Sequence, residues 1–302
     1  MLQHEDVIKA ALDAGFDLCG LTPAKHLAKG EERFRAWLDE EHHASLGYLT
    51  RYIEKRFDPR LLVEGARTLI VCAAAYKSPI SEGYPADFRT KIASYACNRD
   101  YHLTIKEQLW ALLKRLQEQH PDLRGRAFVD SAPVAEKSLA VEAGLGWIGR
   151  NSLLITPQYG SYIHLGVLVL NEEADQYDHP YTTDGCGNCR RCIDACPTRA
   201  ILEPDRLIDA GRCIACQTIE QQPDQAVELD GWIFGCDSCQ QPCPYNRRAP
   251  YSRNPAFTPR FDPRTWDIER WQNLSEEDFR ADLGDTPLTR SGLQRIRSQI
   301  NR

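Results

Sequence analysis

Nine of the twelve cysteines in this chain lie between Cys186 and Cys243, a crowding that indicates a local cofactor site. The stretch DGCGNCRRCIDACPTRAI, residues 184–201, separates four cysteines by two, two and three residues and follows the last with a proline. Such a run is typical of 4Fe-4S clusters, because three close thiolates bind one cluster and the fourth reaches a neighbouring cluster. Zinc sites more often use two C-x2-C pairs separated by a longer loop. The run therefore predicts iron-sulfur clusters in preference to zinc or disulfides.

A second, altered copy of this run is GCDSCQQPCPYN, residues 235–246. Its cysteines keep the spacings of two and three residues and the following proline, but Ile233 stands where the first cysteine of a complete run is expected. The missing ligand must come from upstream, where GRCIACQTIE offers Cys213 and Cys216. Spacing alone leaves the choice between these two cysteines open.

The two runs together predict two 4Fe-4S clusters that exchange ligands, as in two-cluster ferredoxins. The first cluster is expected to use Cys186, Cys189, Cys192 and Cys243. The second is expected to use Cys196, Cys236 and Cys239 with one of the two upstream cysteines. Adjacent clusters indicate electron transfer, and the preceding 170 or so residues are enough for a domain that uses the electrons.

The net charge argues against a protein that binds nucleic acid by its overall charge, and the short apolar runs argue against a membrane-spanning protein. The 302 residues carry a net charge of -6, so binding to nucleic acid by bulk electrostatics is excluded and a local patch is needed. The last stretch, TPLTRSGLQRIRSQINR, has four arginines and no acidic residue, although a solvated terminal helix explains it equally well. The amino terminus is charged and no apolar run is long enough to span a membrane, so we expect a cytoplasmic protein without a membrane partner.

Apolar periodicity before residue 172 predicts an α/β domain. The patterns include a buried strand RTLIVCAAAY, an edge strand KIASYAC, a long helix HLTIKEQLWALLKRLQEQH, strands SLLIT and YIHLGVLVL, and helices at 31–40 and 46–55. The polar stretch NEEADQYDHPYTTDG then loses periodicity. We expect a catalytic domain at 1–172, a ferredoxin-like module at 173–250, and a Pro- and Arg-rich tail with a terminal helix at 251–302.

Asp130 is an acid–base candidate, because FVDSAPV places a carboxylate at the end of an apolar strand, where sites of α/β folds gather. The same position suits a helix cap, and local sequence slightly favours Asp130 or Ser131 as the N-cap of a helix that begins near Pro133. The turn GLGWIG lies between a helix and a strand, so it does not fit a nicotinamide-binding turn, and a phosphate-binding P-loop is absent.

The stretch YACNRDYHLT gathers Cys97, Asp100, Tyr101 and His102, whose side chains are capable of proton or metal chemistry. The plainer interpretation is that Cys97 fills a strand and that Asp100 or His102 begins the long helix. DYHLTI lacks the glycine of the D-x-H-x-x-G pattern of histidine-ligated cobalamin proteins. A histidine ligand to a cofactor is therefore not indicated.

Several motifs together resemble the epoxyqueuosine reductase family: EKRFDPR, RDYH, VDSAPVAEKSLAVEAGLGWIGRNSLLI, the cysteine run and TIE. Members of this family are cobalamin and iron-sulfur enzymes that complete queuosine in transfer RNA. The resemblance extends over nearly the whole chain. It implies that residues 1–172 bind cobalamin in a base-off state, close to the module that passes electrons to cobalt.

The resemblance also implies roles for single residues. Cys213 stands seven positions before the glutamate of TIE, Glu220, as the fourth cluster ligand does in the family, whereas Cys216 falls where an aromatic residue is usual. Asp130 matches the catalytic aspartate. The expected cobalamin contacts are Arg56, Cys97, Asp130, Leu154, Ile155, Ser161 and Thr218.

Each of these contacts has a plainer alternative as a surface charge, a core residue, a turn residue or a helix position. Arg150 occupies a position where the family usually has lysine. A cation is kept there, although ammonium and guanidinium groups are not equivalent.

Removing an epoxide oxygen as water consumes two electrons and two protons. We expect desolvation to raise the pKa of Asp130 so that it holds a proton near neutral pH. The expected partners are a tRNA with its modified anticodon base turned out and an external low-potential electron donor, and the chain is expected to be a monomer. Arg190, Arg191 and the terminal arginines are the expected RNA patch. The competing hypotheses are a corrinoid iron-sulfur reductase acting on a small molecule and a ferredoxin-type electron carrier fused to a binding domain.

Overall fold

The computed structural model describes residues 1–220, 227–300 and 302. The strands are β1 Leu18–Pro23, β2 Thr68–Ala75, β3 Lys91–Ile92, β4 Gly125–Phe128, β5 Trp147–Ile148, β6 Leu154–Ile155, β7 Ile163–Leu170, β8 Ile201–Leu202, β9 Leu207–Ile208 and β10 Trp232–Phe234. The α-helices are α1 His4–Asp13, α2 Ala28–Asp39, α3 Ile53–Phe57, α4 Tyr101–Gln119, α5 Glu136–Glu142, α6 Arg191–Asp194, α7 Ile214–Ile219, α8 Pro244–Arg248, α9 Ile268–Asn273, α10 Glu276–Leu283 and α11 Gly292–Ile300.

A four-stranded sheet in the order β1–β2–β7–β4 organises the first half of the chain, and all its neighbours are antiparallel. Strand β2, TLIVCAAA, is buried at every position, so both faces of the sheet are covered. Alternate residues enter two different cores, because successive side chains of a strand point to opposite faces. Ile70 and Cys72 pack with α1 and α4, whereas Leu69 and Val71 pack with α3 and α5.

Some predicted elements are wrong in extent or in place. The helix predicted at 46–55 is broken into a 3-10 turn, Gly47–Thr50, and helix α3, because Tyr52 between them adopts a left-handed φ of 57°. The edge strand predicted over KIASYAC is reduced to Lys91–Ile92, which pairs in parallel with β10 and not with the central sheet. The strand predicted over SLLIT is likewise short and forms its own hairpin, β5–β6.

The predicted terminal helix is present as α11 and belongs to a core that includes the cysteine-rich module. Ile233, which replaces the cysteine of a complete run, is buried with Trp266, Trp271 and Ile296 in this core. Packing is therefore continuous across the boundary predicted at residue 250, and the three-domain division stays a prediction. No helix in the described part of the chain combines the length and the apolar character that a membrane span requires.

The module is also tied to the turn before β7. The backbone N–H of Ser161 donates to Asn246 Oδ1 at 2.6 Å, and Asn246 Nδ2 donates to Ser161 Oγ at 2.9 Å. Ser161 Oγ in turn donates to Gln240 Oε1 at 2.9 Å. Gly160 permits this approach, because its φ is 60° and a Cβ atom there would lie 2.0 Å from Asn246 Oδ1.

We expect Gly160→Ala to lower the free energy of unfolding by about 2 kcal/mol or more, through backbone strain and overpacking. The measurement is thermal unfolding of the anaerobic, iron-loaded protein followed by circular dichroism. Gly47→Ala is the matched control, since no described atom lies within 4 Å of the added Cβ there. Equal melting temperatures for the two variants would contradict this account of the contact.

Candidate active site

A cavity of about 410 Å³ lies between the domain built on the β1–β2–β7–β4 sheet, hereafter the central domain, and the cysteine-rich module. Helices α2 and α3 and the segment from Asp130 into α5 form most of its wall, and β9 of the module closes one side. Much of the lining is apolar, with Phe34 and Trp37 stacked at 5.7 Å and Leu207 and Ile208 contributed by β9. Asp130 and Arg56, two of the residues predicted to contact a cofactor, line this cavity.

Asp130 lies two residues after the end of β4 and makes three hydrogen bonds. Tyr101 Oη donates to Asp130 Oδ2 at 2.7 Å, and His102 Nε2 lies 3.3 Å from the same oxygen. The backbone N–H of Asp130 donates to Glu136 Oε1 at 2.7 Å. The carboxylate still keeps 51% of its surface exposed, so it remains accessible at the cavity wall.

The capping alternative for Asp130 is not realised. Helix α5 begins at Glu136, its N-cap is Ala135, and no side chain caps it. Asp130 instead adopts a left-handed φ of 50°, a conformation that costs free energy for a residue with a side chain. The segment thus presents the carboxylate to the cavity and to helix α4, and the carboxylate does not cap the next helix.

Helix α4 supplies the two donors because of how it begins. Asp100 is its N-cap and accepts from the backbone N–H of His102 at 2.9 Å, which confirms that Asp100 starts the long helix. His102 Nδ1 lies 2.7 Å from the same Asp100 oxygen, so the imidazole bridges the carboxylates of Asp100 and Asp130. Tyr101 stacks on His102 with ring centroids 4.1 Å apart.

The pKa of Asp130 differs from the sequence-based expectation, and those of its neighbours Glu136 and His102 are also shifted. The hydrogen bond from His102 lowers the pKa of Asp130 more than burial raises it, and Tyr101 lowers it further. The predicted raised pKa of Asp130 is therefore wrong for this arrangement, because two donors stabilise its anion. Burial, followed by the charge of Asp130, instead raises the pKa of Glu136 to about 8. For His102, hydrogen bonds to Asp100 and Asp130 outweigh burial and raise the pKa to about 9.

Arg56 offers a donor that the protein itself does not use. Its Nε atom is buried without a hydrogen-bond partner among the described residues, and its guanidinium lies 5.5 Å from the Phe34 ring centroid. Burial lowers the pKa of Arg56, which remains a cation at any ordinary pH. A buried, unpaired N–H beside aromatic and aliphatic walls suits a large, mainly apolar cofactor with carbonyl or phosphate groups at its edge.

The remaining predicted cofactor contacts lie away from the lining of this cavity. Cys97 and Leu154 are buried in two different cores, and Thr218 is buried, accepting from the Gly235 N–H at 2.9 Å. Ser161 is used in the contact with the module, and Ile155 faces the first group of cluster cysteines. Their cofactor contacts stay predictions.

The four cysteines assigned to the first cluster line one small cavity of about 40 Å³: Cys186, Cys189, Cys192 and Cys243. Trp147 Nε1 donates to Cys186 Sγ at 3.4 Å, a kind of bond that tunes cluster potentials. Arg150 also lines this cavity, and its Nη2 donates to the carbonyl oxygen of Gly187 at 2.7 Å. Arg150 thus holds the first cluster loop.

The second group forms around Cys239. Burial, and then the nearby thiols of Cys236 and Cys213, raise the pKa of Cys239 well above its ordinary value. Cys196 acts in the same way on Cys213. Cys216 lies one helical turn further along α7, where its charge acts on Tyr48 and Arg295. Cys213 therefore lies close to Cys196 and Cys239, and its choice over Cys216 as the fourth ligand stays a prediction.

Half-buried thiols with raised pKa values fit a metal cluster, because a coordinating metal supplies the positive charge that deprotonates them. Burial, followed by neighbouring thiols, raises the pKa of Cys192 to about 11, and burial raises that of Cys236 to about 12. These thiols would remain protonated at neutral pH without such a charge.

The arginines predicted as an RNA patch are largely engaged within the fold. Arg295 and Arg297 donate to backbone carbonyl groups, and Arg290 pairs with Glu220 at 2.5 Å. Arg290 lies close enough to Asp130 for its charge to lower the pKa of that carboxyl. Of these three, Arg290 is thus the best placed to meet a phosphate near the cavity.

Two family models match the chain. Residues 56–131 match the model of epoxyqueuosine reductase QueG, DUF1730, and residues 185–246 match a 4Fe-4S double cluster binding domain. The epoxyqueuosine reductase of Cyclobacterium marinum is 39% identical, over 97% of this chain and 95% of its own length. The chain belongs to the epoxyqueuosine reductase family. The resemblance inferred from the motifs and the oxidoreductase class are confirmed.

Solved epoxyqueuosine reductases share the fold. One, with an epoxyqueuosine-modified tRNA-Tyr stem loop, matches with a TM-score of 0.86 at 28% identity, over 98% of this chain and 79% of its own. Another, from Bacillus subtilis, has a TM-score of 0.85 at 28% identity and the same coverage, and is described with its catalytic aspartate loop swung out of the active site. The mixed helix and sheet fold with a double-cluster 4Fe-4S module is confirmed.

Sequence reasoning missed Glu136. The signal was present in VDSAPVAEK, where a second carboxylate follows Asp130 by six residues and begins a helix. Only the structure shows that Glu136 lies beside Asp130, where its Oε1 accepts from the Asp130 N–H.

We expect Cys213→Ser to lose one of the two clusters and about half of the bound iron, because its thiolate is one of four ligands. Cys216→Ser should keep both clusters and serves as the matched control one helical turn away. The measurement is iron and sulfide content with electron paramagnetic resonance after anaerobic reconstitution. The opposite pattern would assign Cys216 as the ligand.

Proposed function

We infer that this chain reduces epoxyqueuosine to queuosine in the anticodon loop of a tRNA in the cytoplasm. In this proposal a low-potential donor supplies electrons through two 4Fe-4S clusters to a cobalamin bound base-off in the cavity, and the chain acts as a monomer. One observation carries it: Asp130 reaches a cavity that β9 of the cysteine-rich module also lines. This supports a reaction in which a proton donor of the central domain works beside the module that would carry the clusters.

The cavity chemistry fits a corrinoid. Arg56 would donate its unpaired Nε–H to a carbonyl or phosphate group of the cofactor, and Phe34 and Leu207 would contact apolar surface. When bound, a reduced corrinoid supplies electrons at low potential to the substrate. The clusters would be held by the two cysteine groups around Cys243 and Cys239 and would supply those electrons one at a time.

The protein itself would position the reactants, exclude water and supply protons. Asp130 is held within reach of the cavity by Tyr101 and His102, and it is the group that would protonate the epoxide oxygen. His102 and Asp130 together hold one proton, which lies on the imidazole in the open site. Filling the cavity removes water and disfavours the charged pair, so the proton moves toward the carboxylate, which can then donate it.

A tRNA substrate fits this geometry when the modified base leaves the loop and enters the cavity, as enzymes that act on bases require. A solved relative contains an epoxyqueuosine-modified stem loop, which supports this class of substrate. Arg290, near Asp130, would meet the loop backbone, and binding should weaken as the salt concentration rises.

The function is tested with protein purified anaerobically and loaded with iron and cobalamin. Incubation with a reductant and epoxide-bearing tRNA should convert epoxyqueuosine to queuosine, measured as the loss of one oxygen by mass spectrometry of the nucleosides. No conversion, combined with turnover of a small halogenated compound, would identify a small-molecule reductase. Cluster reduction without cobalamin uptake would identify an electron carrier.

We expect Asp130→Asn to keep both clusters, cobalamin and tRNA affinity but to slow turnover by about 100-fold or more, the usual contribution of a general acid. Asparagine has nearly the same shape and still accepts from Tyr101, but it has no proton to transfer. The measurement is single-turnover conversion beside iron content and tRNA binding. Full activity in this variant would remove Asp130 from the proton-transfer step.

A further inference from the structure

Conversion of an epoxide to an alkene takes two protons, and this inference rests on the proposed function. One C–O bond opens and its oxygen takes a proton to become a hydroxyl group. The second C–O bond then breaks, and the oxygen leaves with another proton as water. Two electrons enter from the reductant, so two electrons and two protons balance the reaction. Asp130 alone can hold only one of these protons once cofactor and substrate fill the cavity and exclude water.

A second carboxyl group stands beside the first. Glu136 Oε1 accepts from the backbone N–H of Asp130 at 2.7 Å, and both side chains line the cavity. Glu136 begins helix α5, so its position is set by the packing of that helix against the central sheet. Tyr101 and His102 donate to Asp130 and leave Glu136 without a side-chain donor of this kind.

The groups around Asp130 and Glu136 shift the pKa values of these two carboxyl groups in opposite directions. Burial, and then the negative charge of Asp130, raise the pKa of Glu136, whereas the charges of His102 and Lys137 lower it. Arg56 also faces it from α3, and Tyr101 faces it from α4. The balance leaves Glu136 protonated at pH 7 while Asp130 is ionised, a separation typical of paired acid and base groups.

We propose that Glu136 holds the second proton of the reaction and supplies it when the second C–O bond breaks. The cluster of His102, Asp130 and Glu136 then contains both protons before reduction begins: one shared by His102 and Asp130, and one on Glu136. Proton delivery therefore needs no opening of the cavity to water between the two steps.

The test is Glu136→Gln, because the glutamine carbonyl still accepts from the Asp130 N–H but cannot release a proton. The measurement is the pH dependence of single-turnover conversion by anaerobic, iron- and cobalamin-loaded protein. The wild-type rate should fall above about pH 8, where Glu136 ionises. The variant should be slower at pH 7 by about 100-fold. Its remaining decline should move to about pH 9, where His102 titrates.

Glu142→Gln is the matched control, since Glu142 lies on the same helix, outside the cavity lining, and pairs with Lys25 at 2.5 Å. It should keep the wild-type rate and pH profile. A wild-type rate in Glu136→Gln would overturn the proposal. A slower variant whose decline stays at the wild-type pH would also overturn it, because Glu136 would then only position Asp130.

A second measurement does not depend on turnover. Infrared difference spectra between pH 6 and pH 10 should contain a protonated-carboxyl band that disappears near pH 8 in the wild type and in Glu142→Gln. The band should be missing from Glu136→Gln. Its absence from the wild type would contradict a stored proton on Glu136. Failure of the wild type to convert tRNA while the band is present would count against the proposed function and leave the band to report on Glu136 alone.

Discussion

Hydrogen bonds between Asn246 and Ser161, together with the pairing of β10 with β3, hold the cysteine-rich module against the central domain. The cavity depends on this contact, because Leu207 and Ile208 reach it from the module while Asp130 and Arg56 reach it from the domain. In the proposed reaction, electrons from the module and protons from the domain can reach one substrate only while both walls of the cavity are present. The shared core of Ile233 and the terminal helices adds to the same contact.

Several polar groups in and around this contact would cost free energy to remove from water if no metal or cofactor bound them. Cys236 and Cys239 are half-buried and their thiols have raised pKa values, and the buried Arg56 Nε–H has no partner among the described residues. Burying such polar groups without compensation costs free energy that a metal cluster or a bound cofactor returns. Asp130 and Glu136 add two adjacent carboxyl groups, of which only Asp130 is ionised at neutral pH because the pKa of Glu136 is raised to about 8.

The cysteine ligands could be predicted from the sequence because cluster spacing is a local property of the chain. The choice between Cys213 and Cys216 could not, since it depends on which way the first turn of α7 points. Asp130 could be found as a strand-end carboxylate, but its pKa could not, because the direction of that shift depends on His102 and Tyr101 from another helix. Glu136 was missed for the same reason, and the helix predicted at 46–55 failed at a single backbone angle.

The central claim is that clusters and corrinoid face one another within a single chain. It is tested most directly by rapid mixing of the anaerobic, iron- and cobalamin-loaded protein with a reductant while the absorption of both cofactors is followed. Cluster oxidation and corrinoid reduction should occur together, at a rate that does not change with protein concentration. A rate that rises with protein concentration, or iron-loaded protein that takes up no corrinoid, would contradict it.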